Sequence, residues 1–478
     1  MSPSWPIRTR QSRVPWSWVA MMSLPWATIL YLEMLSNVAV TFKVREFVSV
    51  PVLITLLGSF NLFFSVFVGS VCNYTSDRIW TPIGRRKPFL LAGWCSAAIG
   101  CLVLPEVSTL WLLVALVFLH ELLRDFATPY ESLCNEVVPP PQRGRANAAF
   151  TFARNGMIAF FFAVMVGRWD DTYALPGGVT VSGQQAVFWA GSLLAAATAV
   201  FILRGVQEVR PPAAPSAAPS RPGTMAVVGE FLRDIFGNRQ WLALYAVGIA
   251  QQIFWLDFGS LSPLLYTEQW GFTKQAYGNV LAIATGATLC VFLPLGGWLA
   301  DRLDRIRLFT RLAAAMALTH LVFFVYLKLV APGDQPSFNT VLVFRLISTG
   351  IGTVGTIASV SLMFDYVPRD RLGTVLAGVA MTRNLSSLLI NNGVGLWVTA
   401  LAWLMPRSRA ANGDIRYDYA SGYLYLALFG AACVVIAAWF ARQTRAGHLV
   451  KLGALEAVEE NPRADPAASS PLPGIPRH

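Results

Sequence analysis

Apolar runs of about twenty residues recur along almost the whole chain, and that pattern constrains the fold more than any other feature. A hydrocarbon core about 30 Å thick needs roughly 20 helical residues to cross it. The runs predict helices at 18–41, 50–74, 88–105, 108–136, 146–167 and 185–204, then at 240–266, 276–300, 309–331, 338–364, 374–404 and 422–441. That makes twelve spans. With 55% hydrophobic and only 13% charged residues, an ordinary soluble domain is excluded. The expected class is an all-α membrane protein.

A formal net charge of +11 invites a nucleic-acid reading, but the placement of the bases opposes it. With the N-terminus in the cytoplasm, about two thirds of the 37 Lys and Arg fall in the termini and alternate loops of that one side, the positive-inside bias of membrane proteins. Both termini are therefore expected in the cytoplasm, in a plasma or inner membrane, with the lipid bilayer as partner and no nucleic acid. The opening "MSPSWPIRTRQSRVPWSW" carries no signal-peptide cleavage pattern, so the first span is expected to stay as an anchor. Six cysteines lie in or beside apolar runs without metal-ligand spacing and read as small buried residues. No metal site and no cofactor is expected.

The chain divides in the middle. Residues 205–238 contain "VRPPAAPSAAPSRPGTM", a Pro/Ala/Ser tract that reads as a cytoplasmic linker. The following "AVVGEFLRDIFGNRQW" suits a short amphipathic helix on the inner leaflet. The expected organisation is a cytoplasmic segment at 1–17, a six-helix bundle at 18–204, the linker, a second bundle at 239–441, and a polar, disordered tail at 442–478.

The two bundles repeat one another. Asp301-Arg302 follows Asp77-Arg78 by 224 positions, and Asp257 of "WLDF" follows Glu33 of "YLEM" by the same 224. Asp365 follows Glu136 by 229, each three residues before a Pro, and Arg383-Asn384 follows Arg154-Asn155 by the same 229. Four matches in register argue for a duplication. Paired halves around a cavity are a common build for secondary transporters, with the solute site near mid-membrane.

One stretch, "SDRIWTPIGRRKPF", concentrates Asp77, Arg78, Arg85, Arg86 and Lys87 between two apolar runs. Its second copy, Gly297 to Arg305, resembles the G-x-x-x-D-R-x-G-R-R loop of the major facilitator superfamily, with Asp304 in place of the second glycine. The first copy has Asn73 for the first glycine and four additional residues before Gly84. That expanded loop, with "PYESLCNEVVPPPQRG" after the fourth span, resembles the plant sucrose transporters and the glycoside–pentoside–hexuronide group of proton-coupled sugar carriers. The resemblance implies two pseudo-symmetric six-helix bundles, with spans 1, 4, 7 and 10 lining the cavity. It also implies a cytoplasmic gate. Asp77 would sit at the N-terminus of span 11 near Gly373 and Thr374, where a helix dipole favours a carboxylate. Arg78 and Arg85 would pair with acids across the interface, such as Asp365, and Asp301 would act likewise near Arg145. Arg302, Glu136, Arg154 and Arg383 belong to the same gate or to the cavity lining. The bland reading is a basic loop retained for topology, which explains the bases but not the repeated Asp.

Ionisable groups inside spans are costly and are usually paired or functional. Glu33 and Asp257 stand near mid-membrane, where each can serve as a proton carrier or be held in a structural pair, Glu33 with Arg124 or Asp257 with Arg345. Glu121, Arg124 and Asp125 share a helix face by spacings of three and four. Arg124 suits a sugar hydroxyl or a carboxylate clamp, Asp125 suits a proton, and a structural triad suits the same residues. His120 and His320 read as satisfied core residues. Trp26, Tyr31, Trp255, Phe258 and Tyr266 offer rings for sugar faces, and Gln251, Gln252 and Asn37 offer amides for hydroxyls. Lipid contact is the plain alternative for the rings.

The leading expectation is a monomeric proton-coupled symporter of a sugar or glycoside, working by alternating access. Span 2 has no acid before Asp77, which favours protons over sodium as the coupling ion. One alternative is an exporter or antiporter of another small solute, although span 5, "ANAAFTFARNGMIAFFFAVMVG", lacks the G-x-x-x-G-P-x-x-G-G pattern of drug–proton antiporters. Another is a transporter-like assembly or sensing protein that carries nothing. An enzyme is not expected, because no nucleophile motif, metal cluster or phosphate loop supports one.

Overall fold

Hydrocarbon offers no hydrogen bonds, so each apolar run must satisfy its own backbone, and the α-helix does so within one segment. The computed structural model describes residues 7–8, 14–76, 79–174, 176–209, 233, 236–255, 258–367, 372–405 and 415–449. Among these, twelve helical segments follow in order. The first half holds α1 (Trp16–Arg45), α2 (Pro51–Asn73), α3 (Lys87–Glu106), α4 (110–137), α5 (Arg143–Arg168) and α6 (Gly183–Gly205). The second holds α7 (Gln240–Gln269), α8 (Lys274–Arg302), α9 (Arg305–Leu329), α10 (Phe338–Tyr366), α11 (Leu372–Leu404) and α12 (Tyr419–Arg445). Among the described residues, eleven helices are long and apolar enough to cross a membrane.

The exception is α4. Expected as one uninterrupted span, it is built as Leu110–Arg124, a 3-10 turn at Asp125–Ala127, and Tyr130–Val137. Pro129 has no N–H to give the Asp125 carbonyl, so the α-helical ladder fails there. The Thr128 N–H and hydroxyl both turn to that carbonyl instead.

Packing is alike in the two halves. Helix α3 lies along α6, and α9 lies along α12. The halves meet along two seams, α2 with α11 and α5 with α8. Close approach at the second seam requires Gly278, where a Cβ would collide with the Phe162 carbonyl. Four short strands stand among the described residues. β1 (Ile7–Arg8) pairs in parallel with β4 (Val206–Gln207) just beyond α6. β2 (Thr172–Ala174) and β3 (Thr180–Ser182) form a hairpin between α5 and α6. The expected amphipathic helix after the linker lies largely outside the described residues, as does the C-terminal tail.

Candidate functional site

The lining helices lose regular α-geometry beside the embedded polar groups. In α1, a π-helical turn at Leu35–Ala39 begins two residues after Glu33. In α7, a 3-10 turn at Gln251–Phe254 follows Ala250, and Gly259 has a φ of 50°. Such departures free backbone groups and turn side chains away from their expected faces, and they are tolerated where they border a cavity.

A cavity of about 360 Å³ lies between the halves, bounded by Glu33, Asn37, Thr55, Ser59 and Asn61 from one side and by Gln252, Trp255, Tyr277, Arg345, Thr349 and Asn391 from the other. It continues into a space of about 490 Å³ that reaches Thr151, Arg154, Asn155, His320, Ser348 and Thr356. Glu33, Met34, Ile158, Trp255, Arg345 and Thr349 border both. A third pocket of about 200 Å³ lies inside the first half and joins Glu33 to Arg124, Asp125, Glu131, Trp26 and Trp94. Glu33 therefore stands where all three meet.

The helix-4 charges form a tight cluster. Arg124 Nη2 lies 2.9 Å from Glu121 Oε2, and Arg124 Nη1 donates to Ser36 Oγ at 2.9 Å. Ser36 in turn donates to Glu121 Oε1, which ties α1 to α4. Glu121 is only 2% exposed, whereas Arg124 borders the third pocket. Asp125 is buried too, but its Oδ2 has no hydrogen-bond partner among the described residues. The structure thus gives Arg124 to Glu121, not to Glu33. The charges acting on Glu33 are Arg124, Arg154 and Glu121, without direct contact. Arg154 lies over the Trp26 ring, 5.1 Å from its centroid. Asp257, the expected counterpart of Glu33, lies outside the described residues.

Among the expected amides, Asn37 and Gln252 line the cavity, and Gln252 also donates to the Arg383 carbonyl at 2.9 Å. Gln251 does not line it and is buried, 1% exposed. Of the rings, Trp255 faces the cavity and Trp26 the side pocket. Tyr31 instead donates to the Val187 carbonyl, Phe258 packs on Tyr423, and Tyr266 packs on Trp270. His120 and His320 are both buried, but His120 Nδ1 has no hydrogen-bond partner among the described residues and so is not the satisfied core residue expected. His320 also borders the larger space. Tyr277, Asn61, Thr349 and Asn391 escaped the sequence reading. Their only signal was a polar atom in an apolar run, which does not say whether it faces a cavity or a neighbour.

Charges at the two faces are arranged differently. On the face bearing the chain ends, Arg85 pairs with Glu136, Arg86 Nη2 lies 3.1 Å from the same carboxylate, and Arg305 Nη1 lies 2.5 Å from Asp365 Oδ1. The expected Arg85–Asp365 contact is therefore replaced by one pair inside each half. Glu208 occupies the N-terminus of α3, accepting from the N–H groups of Arg85, Arg86 and Lys87 at 3.0, 3.1 and 2.9 Å. Asp301 is exposed and makes no ion pair with Arg145 among the described residues, and Arg302 lies over Trp298. The acid that acts on Arg383 is Glu131 of the other half. Asp77 and Arg78 lie outside the described residues.

On the opposite face, pairs within a half (Lys43 with Glu46, Lys328 with Asp334 and Asp418) are joined by pairs that cross between the halves. Arg45 Nε donates to Glu268 Oε1 at 2.5 Å and Nη2 to Oε2 at 3.3 Å, while Tyr419 Oη donates to the same carboxylate at 3.2 Å. Lys274 Nζ lies 2.5 Å from Asp170, over the rings of Phe42 and Trp169. Along the seam, Asn392 donates to Ser59 Oγ at 2.9 Å and the Val52 N–H to Thr399 Oγ1 at 3.1 Å.

Comparison with known proteins places this geometry. A D-xylose–proton symporter is similar in fold, with a TM-score of 0.62 at 15% identity over 89% of this chain and 97% of that one. A POT family transporter crystallised with a thioalcohol-conjugated peptide has a TM-score of 0.66 at 11% identity, over 89% and 95%. A multidrug resistance protein B homolog of Mycobacterium tuberculosis is 28% identical over 193 residues, 36% of this chain. That match spans only about a third (32%) of the relative's own length. Residues 20–401 match the family described as MFS/sugar transport protein, and the chain belongs to that family of the major facilitator fold.

Proposed function

We propose that this protein is a proton-coupled symporter of a sugar or glycoside that works by alternating access. The observation that carries the reading is the cavity between the halves. Amides, hydroxyls and the flat face of Trp255 surround Glu33 and Arg345 there. Amides and hydroxyls match sugar hydroxyls, and an indole matches the apolar face of a pyranose ring. Glu33 borders both the cavity and the acid-lined pocket behind it, so its protonation and the solute act on one another at close range. A fold shared with a symporter of D-xylose and protons is in keeping with this reading.

The state described is closed on the face opposite the chain ends, where ion pairs bridge the halves. A second state would break those pairs and bring Asp77, Asp301 and their basic neighbours together across the other face. A second reading, a drug exporter, has the partial likeness to the multidrug resistance homolog in its favour. Uptake of a labelled sugar panel into proteoliposomes under imposed pH or sodium gradients separates the two. Accumulation of at least one sugar, driven by an inward proton gradient and indifferent to sodium, is expected. No driven uptake of any sugar, with extrusion of cationic dyes, overturns the symport reading.

A further inference from the structure

Outside the transport path, α9 and α10 leave a groove of about 620 Å³ open toward the bilayer. Each helix offers one face at the same helical spacing: Leu318, Val322 and Tyr326 from α9, and Asn339, Val343 and Ile347 from α10. The deeper aliphatic side chains are at least half exposed: Leu318 59%, Val322 57%, Val343 56% and Ile347 50%. In a membrane they meet only acyl chains. Of the polar lining residues, Thr319 and Thr340 are already bonded, to the Ala315 carbonyl and to Ser337 Oγ, which leaves two at the groove's end away from the chain termini. Tyr326 lies in the last turn of α9 and Asn339 in the first turn of α10, at the depth of the bilayer interface. Neither side chain makes a hydrogen bond among the described residues, so a phenol and an amide are left with donors to offer. The neighbouring base, Lys328, is committed to Asp334 at 2.5 Å and Asp418 at 2.9 Å.

We propose that this groove is a binding site for one diacyl lipid of the leaflet opposite the chain ends. An acyl chain lies along Val322, Val343 and Ile347, and the ester carbonyls accept from Tyr326 and Asn339. Donors without a free cation select the ester region rather than the phosphate. The floor of the groove gives the site a consequence. Phe344 stacks on Phe323 with centroids 3.8 Å apart and planes 8° apart, and Phe344 also borders the larger central space beside Tyr423. A seated chain holds this ring pair in place, and the ring pair separates the solute path from the bilayer.

The test uses the full chain in proteoliposomes containing a phosphatidylcholine with a photoactivatable diazirine on one acyl chain, with labelled peptides located by mass spectrometry. Labelling is expected to concentrate on residues 318–326 and 339–347. Val343→Trp, which fills the groove from a lipid-facing position, should abolish it. Tyr326→Phe and Asn339→Leu should each lower it by about five-fold, the loss of one neutral hydrogen bond. Labelling spread evenly over other exposed faces, such as Leu193 and Val200 of α6 or Leu428 and Val435 of α12, overturns the proposal. Labelling unchanged in Val343→Trp overturns it as well.

Discussion

The two faces of this molecule both carry ion pairs within a half, but among the described residues one face adds pairs that cross between the halves. On the face bearing the chain ends, the ion pairs seen among the described residues lie within a half, Arg85 and Arg86 with Glu136, Arg305 with Asp365. On the opposite face, Arg45 reaches Glu268 and Lys274 reaches Asp170, each from one half to the other. Pairs within a half stabilise a bundle and are indifferent to how the bundles tilt. In the proposed alternating-access cycle, pairs between halves would exist in one tilt and not in the other, and so would bias the equilibrium between states.

That distinction gives each pair its own signature when it is broken. The largest effect belongs to a pair within a half. Arg124→Ala strands the buried Glu121, at a cost of about 3–5 kcal/mol in bundle stability. Arg124→Ala with Glu121→Gln should recover much of that loss. A double-mutant cycle on thermal unfolding and transport measures the coupling, and strictly additive losses would mean that the two groups do not act as a pair.

Next come the pairs between halves. Arg45 and Glu268 are each 33% exposed, so water and salt screen them, and their removal is worth about 1 kcal/mol, a five-fold shift between states. Glu268→Gln should leave unfolding temperature nearly unchanged while making a cysteine at Asn37 more reactive from the face opposite the chain ends. Equal reactivity with a lowered unfolding temperature would make this pair structural after all.

Smallest is the effect of Asp301→Asn, with Asp77→Asn expected to match it. Asp301 is exposed and unpaired among the described residues, so the described state should not feel the change. Only the alternate state should weaken, by less than about 1 kcal/mol, raising cysteine reactivity from the face bearing the chain ends. Unchanged reactivity in both variants would reduce the charged loop to a topological signal.

The spans were legible because apolar length is a one-dimensional property. Interruption of α4 was legible in part, since Pro129 stands in the sequence, but the long apolar run before it hid it. Partners were not legible. Spacing brought Arg124 to Glu121 correctly, because neighbours on one helix follow from helical geometry. It could not bring Glu208 to the N-terminus of α3, over a hundred residues away, or decide whether Arg85 meets Glu136 or Asp365. That choice depends on the state of the whole molecule. Gln251 and Gln252 show the same limit at short range, since only one of two adjacent amides faces the cavity.

The central claim is that Glu33 couples a proton to solute movement, and one variant tests it directly. Glu33→Gln in proteoliposomes should abolish accumulation of sugar driven by a pH gradient, while exchange of labelled for unlabelled sugar at equal pH continues. A permanently neutral side chain imitates the proton-loaded carrier, so both faces remain reachable but the gradient no longer biases the cycle. Continued accumulation by Glu33→Gln against the sugar gradient would contradict the account and move the coupling proton elsewhere, to Asp257 or Asp125.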